Sequence, residues 1–280
     1  MIYDCFSFNN ENDILDIRLN TLNDVVDKFV IIEASKTHQG APKTPQFDKE
    51  RFEKFMDKII YVFLEDIPDF KGETWHYENY QRNYILNVLR AENCSPDDVI
   101  IISDVDEIPS AWQVRNFFSY LGIEGATLSL KSYIYRLNLQ VINSNWHKAK
   151  MVRYSYFLNP NNYSKDFTVN YVEELNQEIT PTGVRFAIIY PILEENTGWH
   201  FSSMGSAEDV VNKLKSFAHK ELNYTDIANV DNIQYYIDNR LSIWGKPLRC
   251  EISDLDSSLP KYLCENPKTF KHLLLDKNNN

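Results

Sequence analysis

Val99-Ile100-Ile101-Ile102-Ser103-Asp104-Val105-Asp106-Glu107-Ile108-Pro109 is the stretch that decides the fold. Its four leading β-branched residues show no polar alternation, which marks a strand covered on both faces, as in a parallel sheet between helices. Three carboxylates follow at once, and a proline closes the run. In an extended chain residues i and i+2 point the same way, so Asp104 and Asp106 are expected to converge at the carboxyl end of the strand. Open α/β sheets bind ligands at that edge. Carboxylates so close repel one another and resist desolvation unless a cation compensates them. Their hard oxygens suit Mg²⁺ or Mn²⁺, ions that usually also take oxygens from a substrate phosphate. The expectation is a metal clamp on a diphosphate, with a solvated acidic turn as the plainer alternative.

The first 120 residues repeat the alternation of strand and helix. Ile2 to Phe8, Phe29 to Ile32 and Ile59 to Leu64 read as strands. Ile14, Leu15, Leu19 and Leu22 recur at helical spacing, as do Tyr77, Tyr80, Tyr84, Ile85 and Val88. Phe52, Phe55 and Met56 predict a further helix, and Ser110 is placed to cap one running through Trp112 and Phe117. After residue 125 the strands lengthen and partly alternate: Ala126 to Leu139, Lys148 to Leu158 and Phe186 to Ile192 are expected as antiparallel additions. Residues 159 to 183 read as a long loop region, and Ser206 with Asp209 as a capping-box start for a helix bearing Val210, Leu214 and Phe217. A last helix is expected around Ile227, Ile233 and Ile237. The class is α/β, with a Rossmann-like mixed sheet, helices on both faces and C-terminal helices. With no repeat and no Pro/Gly/Ser linker, residues 1–280 read as one domain. Residues 1–125 are expected to be its nucleotide-binding half, and 126–280 its acceptor-binding half with the C-terminal helices.

Composition narrows the function. Acidic residues number 40 against 29 basic ones, a net charge of −11, which argues against a broad nucleic-acid or anionic-membrane footprint. Only 8 glycines occur, in neither a dinucleotide fingerprint nor a P-loop, so a nucleotide phosphate would need another cradle. No apolar run approaches the length of a membrane span, and no signal peptide is visible. Four widely spaced cysteines suggest neither a disulfide framework nor a thiolate zinc site. The expected compartment is the cytoplasm, either free or peripheral to a membrane.

Other chemistry-bearing residues fall into three groups. Glu11, within Asn9-Asn10-Glu11-Asn12-Asp13, and Glu33 each follow a strand and can accept hydrogen bonds from a ribose or base; helix capping by Asn10 or Asp13 and a solvated strand end for Glu33 explain them equally well. Arg82 can meet a phosphate, or pair with Glu78 one helical turn away. His200, between Trp199 and Phe201, is either a packed core residue or a metal ligand.

The chain also resembles a known family. Phe6-Ser7-Phe8-Asn9-Asn10-Glu11-Asn12-Asp13-Ile14-Leu15, Tyr61-Val62-Phe63-Leu64, Pro96-Asp97-Asp98-Val99 and Ser103-Asp104-Val105-Asp106-Glu107-Ile108-Pro109 are similar to segments of family 17 glycosyltransferases. Gly198-Trp199-His200, Pro260-Lys261-Tyr262-Leu263 and His272-Leu273-Leu274 fit as well, while residues 140 to 195 match poorly. The resemblance implies a glycosyltransferase-A fold and inverting transfer of a sugar from a UDP-sugar donor, UDP-N-acetylglucosamine, to a glycan acceptor. It implies that Asp106 binds the metal directly, that Asp104 reaches the ribose or a metal-bound water, and that His200 completes the metal shell. Inversion calls for a base near the attacking hydroxyl, for which the carboxylates Glu174 and Glu195 are the candidates. Trp75, Trp146 and Trp199 would stack on sugar rings or pack the core. A metal-dependent nucleotidyltransferase or phosphoesterase, and a non-catalytic carbohydrate-binding module, are the competing readings.

Overall fold

The computed structural model describes residues 1–119, 124–158, 172–173, 178–186, 191–223 and 227–276. Four parallel strands form the heart of the sheet: β1 (Ile2–Phe8), β2 (Lys28–Ala34), β3 (Ile59–Leu64) and β4 (Val99–Asp104), in the order β4-β1-β2-β3. Parallel neighbours need crossover connections, and α1 (Asn12–Leu22) lies in the one from β1 to β2 and α2 (Thr74–Ala91) in the one from β3 to β4. Alternate residues of β4 serve opposite faces, as the two-residue period requires. Val99 and Ile101 pack with Leu15 and Leu19 of α1, whereas Ile100 and Ile102 pack with Ile85 and Leu89 of α2. All four β4 side chains are fully buried, and each contributes roughly 1.5–3 kcal/mol of transfer free energy.

After β4 the chain turns through Val105 and Asp106 into a two-residue strand, β5 (Glu107–Ile108), and then into α3 (Ala111–Asn116). The expected Ser110 cap is there: its hydroxyl accepts from Gln113 N, and the Gln113 side chain returns the bond to Ser110 N. The mixed half of the sheet contains β6 (Gly125–Ile134), β7 (Leu139–Trp146), β8 (Lys150–Arg153), β11 (Ile192–Ser202) and β12 (Cys250–Ile252). β8 joins the halves, antiparallel to both β4 and β6, while β7 continues antiparallel along the same edge of β6. β11 lies on the other edge of β6, parallel to it, and turns back antiparallel to β5. Two short strands, β9 (Val172–Glu173) and β10 (Glu178–Ile179), pair with each other alone among the described residues.

Several expectations are corrected: the strands expected over Ala126 to Leu139 and Lys148 to Leu158 end at Ile134 and Arg153, and β11 runs parallel, not antiparallel, to β6. The helix at Phe52–Met56 is only a 3₁₀ turn, Glu53–Phe55, because Phe52 stacks on Phe47, which in turn stacks on Tyr61, and this holds the segment flat against the core. The strand expected from Phe186 to Ile192 is displaced: Pro181–Phe186 is a helix (α4), and the strand begins at Ile192. That helix also occupies part of the stretch read as loop. Most of residues 159–183 lie outside the described residues. Further on, α5 (Ala207–Ser216) carries the expected capping box, and α6 (Val230–Asp238) packs beside it over Ile134 and Val141. Finally α7 (Lys261–Glu265) and a 3₁₀ turn at Lys271–Leu273 lay Leu263, Phe270 and Leu273 over Ile14 and Ile17 of α1. Among the described residues no helix is long and apolar enough to cross a membrane.

Candidate active site

The turn after β4 is held from beneath by one side chain. Arg18 of α1 donates through Nη1 to the carbonyls of Asp104 (2.8 Å), Val105 (3.2 Å) and Glu107 (2.9 Å). Its other nitrogens donate to both Asp4 oxygens, at 2.7 and 2.5 Å, and to Ser103 Oγ at 2.6 Å. Asp4 and Ser103 share the α1 face of the sheet by the same alternation that points Asp104 the other way. Asp104 therefore faces α2, where Arg82 Nη2 donates to Oδ1 at 3.1 Å and Arg185 Nη2, from α4, donates to Oδ2 at 2.6 Å. Burial would raise the Asp104 pKa, but the Arg185 and then the Arg82 guanidinium override it and hold the carboxyl well below the ordinary range. Arg82 also pairs with Glu78 at 2.7 Å, the partner one helical turn away that the sequence offered.

Asp106 leaves the turn toward α5. Lys213 Nζ donates to its Oδ2 at 2.9 Å, and His200 Nε2 lies 4.0 Å from its Oδ1. Burial disfavours a charged Lys213, yet Asp106 foremost, with Glu11 next, keeps its pKa above the ordinary ammonium range. His200 stands opposite Glu107 in the β5–β11 pairing and stacks on Trp146, with ring centroids 4.5 Å apart. Glu107, the third carboxylate of the run, is wholly internal. It accepts from Arg185 Nη1 at 2.5 Å and Nη2 at 2.7 Å, from the Asp104 amide at 3.1 Å and from the Trp146 indole.

Asp104, Asp106, Arg82 and Lys213 wall a groove that crosses the carboxyl ends of β1, β2 and β4. It is bounded by Asn9 and Glu11 after β1, Lys36 and Lys43 after β2, Gln81 and Arg82 on α2, and Lys213 on α5. Asp104 and Asp106 both reach it, as expected. Glu11 does too, with Oε2 accepting the Asn9 and Asn10 amides at 3.1 Å each. Glu33, expected to offer its carboxylate to a ligand, does not: it is fully buried, and its oxygens accept from Gln46 N, Phe47 N, Tyr61 Oη and Lys43 Nζ. Its contribution to the groove is to hold the Lys43 ammonium there.

The expected metal set of Asp104, Asp106 and His200 is not gathered around one point. Among the described residues no group of three or more His, Cys, Asp or Glu side chains could hold an ion. The physical reason is that the strand's alternation turns Asp104 into the two arginines. Asp106 Oδ1 and His200 Nε2, 4.0 Å apart, are the pair within reach of one ion at metal–ligand distances of about 2.1 Å, with Lys213 on the other Asp106 oxygen.

Of the base candidates, Glu174 lies outside the described residues. Glu195 is exposed on β11, outside the groove wall. Trp75 is exposed against His219, and Trp199 is buried with its indole donating to Ser258 O at 2.7 Å. Sequence reading missed Arg18, Lys43, Arg185 and Lys213, the cations that compensate the carboxylates. Their only local signal was the excess of acid at residues 104–107, which demanded partners without naming them.

A mixed α/β sheet with a charged groove at its carboxyl edge defines an enzyme-type architecture consistent with a glycosyltransferase-A-like fold. The profile described as glycosyltransferase family 17 matches residues 1–168, and the chain belongs to that family. It is 27% identical to the rat protein named beta-1,4-mannosyl-glycoprotein 4-beta-N-acetylglucosaminyltransferase, over 98% of this chain and 54% of that one. The human protein of the same name is also 27% identical, over 98% of this chain and 55% of its own length. The chain spans about half the length of the curated relatives it matches.

Proposed function

We propose that this chain is an inverting glycosyltransferase that moves N-acetylglucosamine from UDP-N-acetylglucosamine to a sugar hydroxyl of a glycan. The observation that carries the reading is the Asp104–Val105–Asp106 turn, fixed by Arg18 and opening into the groove at the ends of β1, β2 and β4. Lys213, Lys43 and Arg82 line that groove and suit a diphosphate, whose negative charge grows as the glycosidic bond breaks. The relatives' printed name supports the choice of donor sugar and of a β-mannosyl glycan acceptor. Mn²⁺ or Mg²⁺ would be held by Asp106 and His200 and, when bound, would supply Lewis-acid compensation of the leaving diphosphate. Arg82 and Arg185 keep Asp104 ionised and in place, and Trp146 orients the His200 ring.

Thermal unfolding with ligand tests this directly. UDP-N-acetylglucosamine with Mn²⁺ should raise the melting temperature, much less so after chelation, and Asp106→Asn should abolish the metal-dependent part. Equal shifts with and without metal would remove the metal from the proposal. A larger shift with a nucleoside triphosphate would favour nucleotidyl transfer. Glycan binding without any sugar transfer would favour a non-catalytic module.

A further inference from the structure

Beyond Asp106 and Lys213 the groove continues into a second recess, walled by Asn12 and Asp13 of α1, Asp209 and Asn212 of α5, and His272. Because Asp106, Lys213 and Glu11 wall both spaces, a second substrate in the recess would lie next to a donor in the groove. Most acid–base groups there are already engaged. Asp106 holds Lys213, Asp209 Oδ2 accepts from Ser206 N and Oγ, and Glu11 Oε2 accepts two amides.

His272 differs. Its Nε2 lies 2.8 Å from Asp13 Oδ2, and Asp13 Oδ1 accepts from Arg51 Nη2 at 2.7 Å. Asp13 sits in the first turn of α1, where the helix dipole favours a carboxylate. A carboxylate can only accept, so in the neutral imidazole the proton lies on Nε2 and the lone pair on Nδ1. That nitrogen has no partner among the described residues. The relay thus joins α1, the loop after β2 and the C-terminal turn, and ends in an available base on the recess wall.

We propose that His272, oriented by Asp13, is the general base that deprotonates the acceptor hydroxyl in this recess; the inference rests on the sugar-transfer reading above. The hydroxyl proton passes to His272 Nδ1 while the oxygen's electron pair forms the bond to the anomeric carbon. The bond from that carbon to the diphosphate oxygen breaks, and its pair leaves with UDP. The imidazolium that results is held by Asp13 and, being more than half exposed, returns its proton to solvent. Asp13 is a positioning residue, acting through the imidazole. The charged groups facing His272 are Asp13 and, behind it, Arg51, with Asp106, Glu11, Asp209 and Lys213 on the same wall and Lys271 beside it in the chain.

A purely structural role for His272, pinning the C-terminal turn to α1, is separated from catalysis by a pH profile. Transfer from UDP-N-acetylglucosamine to a panel of p-nitrophenyl glycosides, including the β-mannoside, is followed from pH 5.5 to 9 alongside the donor-induced melting shift. For His272→Gln the expected result is a fall in kcat of about 100-fold, loss of the acid-side decline, and an unchanged donor shift. Asp13→Asn should lower kcat about 10-fold with KM little changed. The proposal is overturned if His272→Gln stays within threefold of wild type, retains the acid-side decline, or loses the donor shift with its activity. A wild-type chain showing neither donor shift nor transfer would instead bring down the functional reading, and this inference with it.

Discussion

Arg18 shows how much of the site depends on one residue remote from any ligand. It is fully buried, and all three guanidinium nitrogens donate: to the Asp4 carboxylate, to Ser103 and to three carbonyls of the turn that presents Asp104 and Asp106. Removing it strands a buried carboxylate and leaves those carbonyls unpaired, a penalty of about 3–5 kcal/mol by the precedent of broken buried ion pairs. Arg18→Met should therefore lower the urea midpoint by that equivalent. Arg18→Lys should recover only a fraction, because an ammonium has no fork to span Asp4 and the turn together. An unchanged midpoint for Arg18→Met would show that the turn holds itself. The sequence displayed the carboxylates that this arginine serves, since three acids after an apolar strand are visible in one line of text. Arg18 and Asp4 carry no such local signal, because the contacts that give them their role join α1, β1 and the turn after β4.

At the scale of elements, legibility followed locality. Strands β1 to β4, helices α1 and α2, and the caps at Ser110 and Ser206 could be read because their determinants lie within a few residues of one another. Helix α4 could not. Its Pro181-Thr182-Gly183-Val184-Arg185-Phe186 has no amphipathic period and a central glycine, and it forms because α2 and β4 bury it. The strand β11 was hidden by polar Glu194, Glu195 and Asn196, which occupy its irregular register before Gly198 restores pairing with β6. Helix α5 shows how a cap positions chemistry, because the box at Ser206 and Asp209 fixes the helix that delivers Lys213 to Asp106. Gly205, just ahead of the box, has φ of +119°, and a Cβ there would lie 2.6 Å from Asp209 Oδ2. Gly205→Ala is expected to cost about 1–3 kcal/mol from strain and the loosened cap. It should also weaken donor binding, because Lys213 shifts with its helix. Differential scanning calorimetry and titration with UDP-N-acetylglucosamine check the two parts, and wild-type values in both would count against the coupling.

Over the whole molecule, the carboxylates and the cations that balance them come from distant parts of the chain. The pairs Asp104–Arg185 and Asp106–Lys213 span 81 and 107 residues, and no local pattern announces a partner at that range. The family profile ends at residue 168, yet Arg185, His200 and Lys213 all lie beyond it. So does β11, which covers one edge of β6 and pairs with β5. A fragment of residues 1–168 would keep the parallel strands and the acidic turn. It would lose the counter-charge to Glu107, which has no solvent exposure in the intact chain, and would bare one whole edge of β6. It would also uncover Ile14 and Ile17, over which Leu263, Phe270 and Leu273 pack. An uncompensated buried carboxylate and an open sheet edge each oppose a stable fold. The fragment is expected to show no cooperative thermal transition by circular dichroism and no melting shift with UDP-N-acetylglucosamine and Mn²⁺, whereas residues 1–280 show both. A fragment that melts cooperatively and binds the nucleotide sugar would mean that the first half carries a complete donor site, with Arg185 and Lys213 dispensable to it.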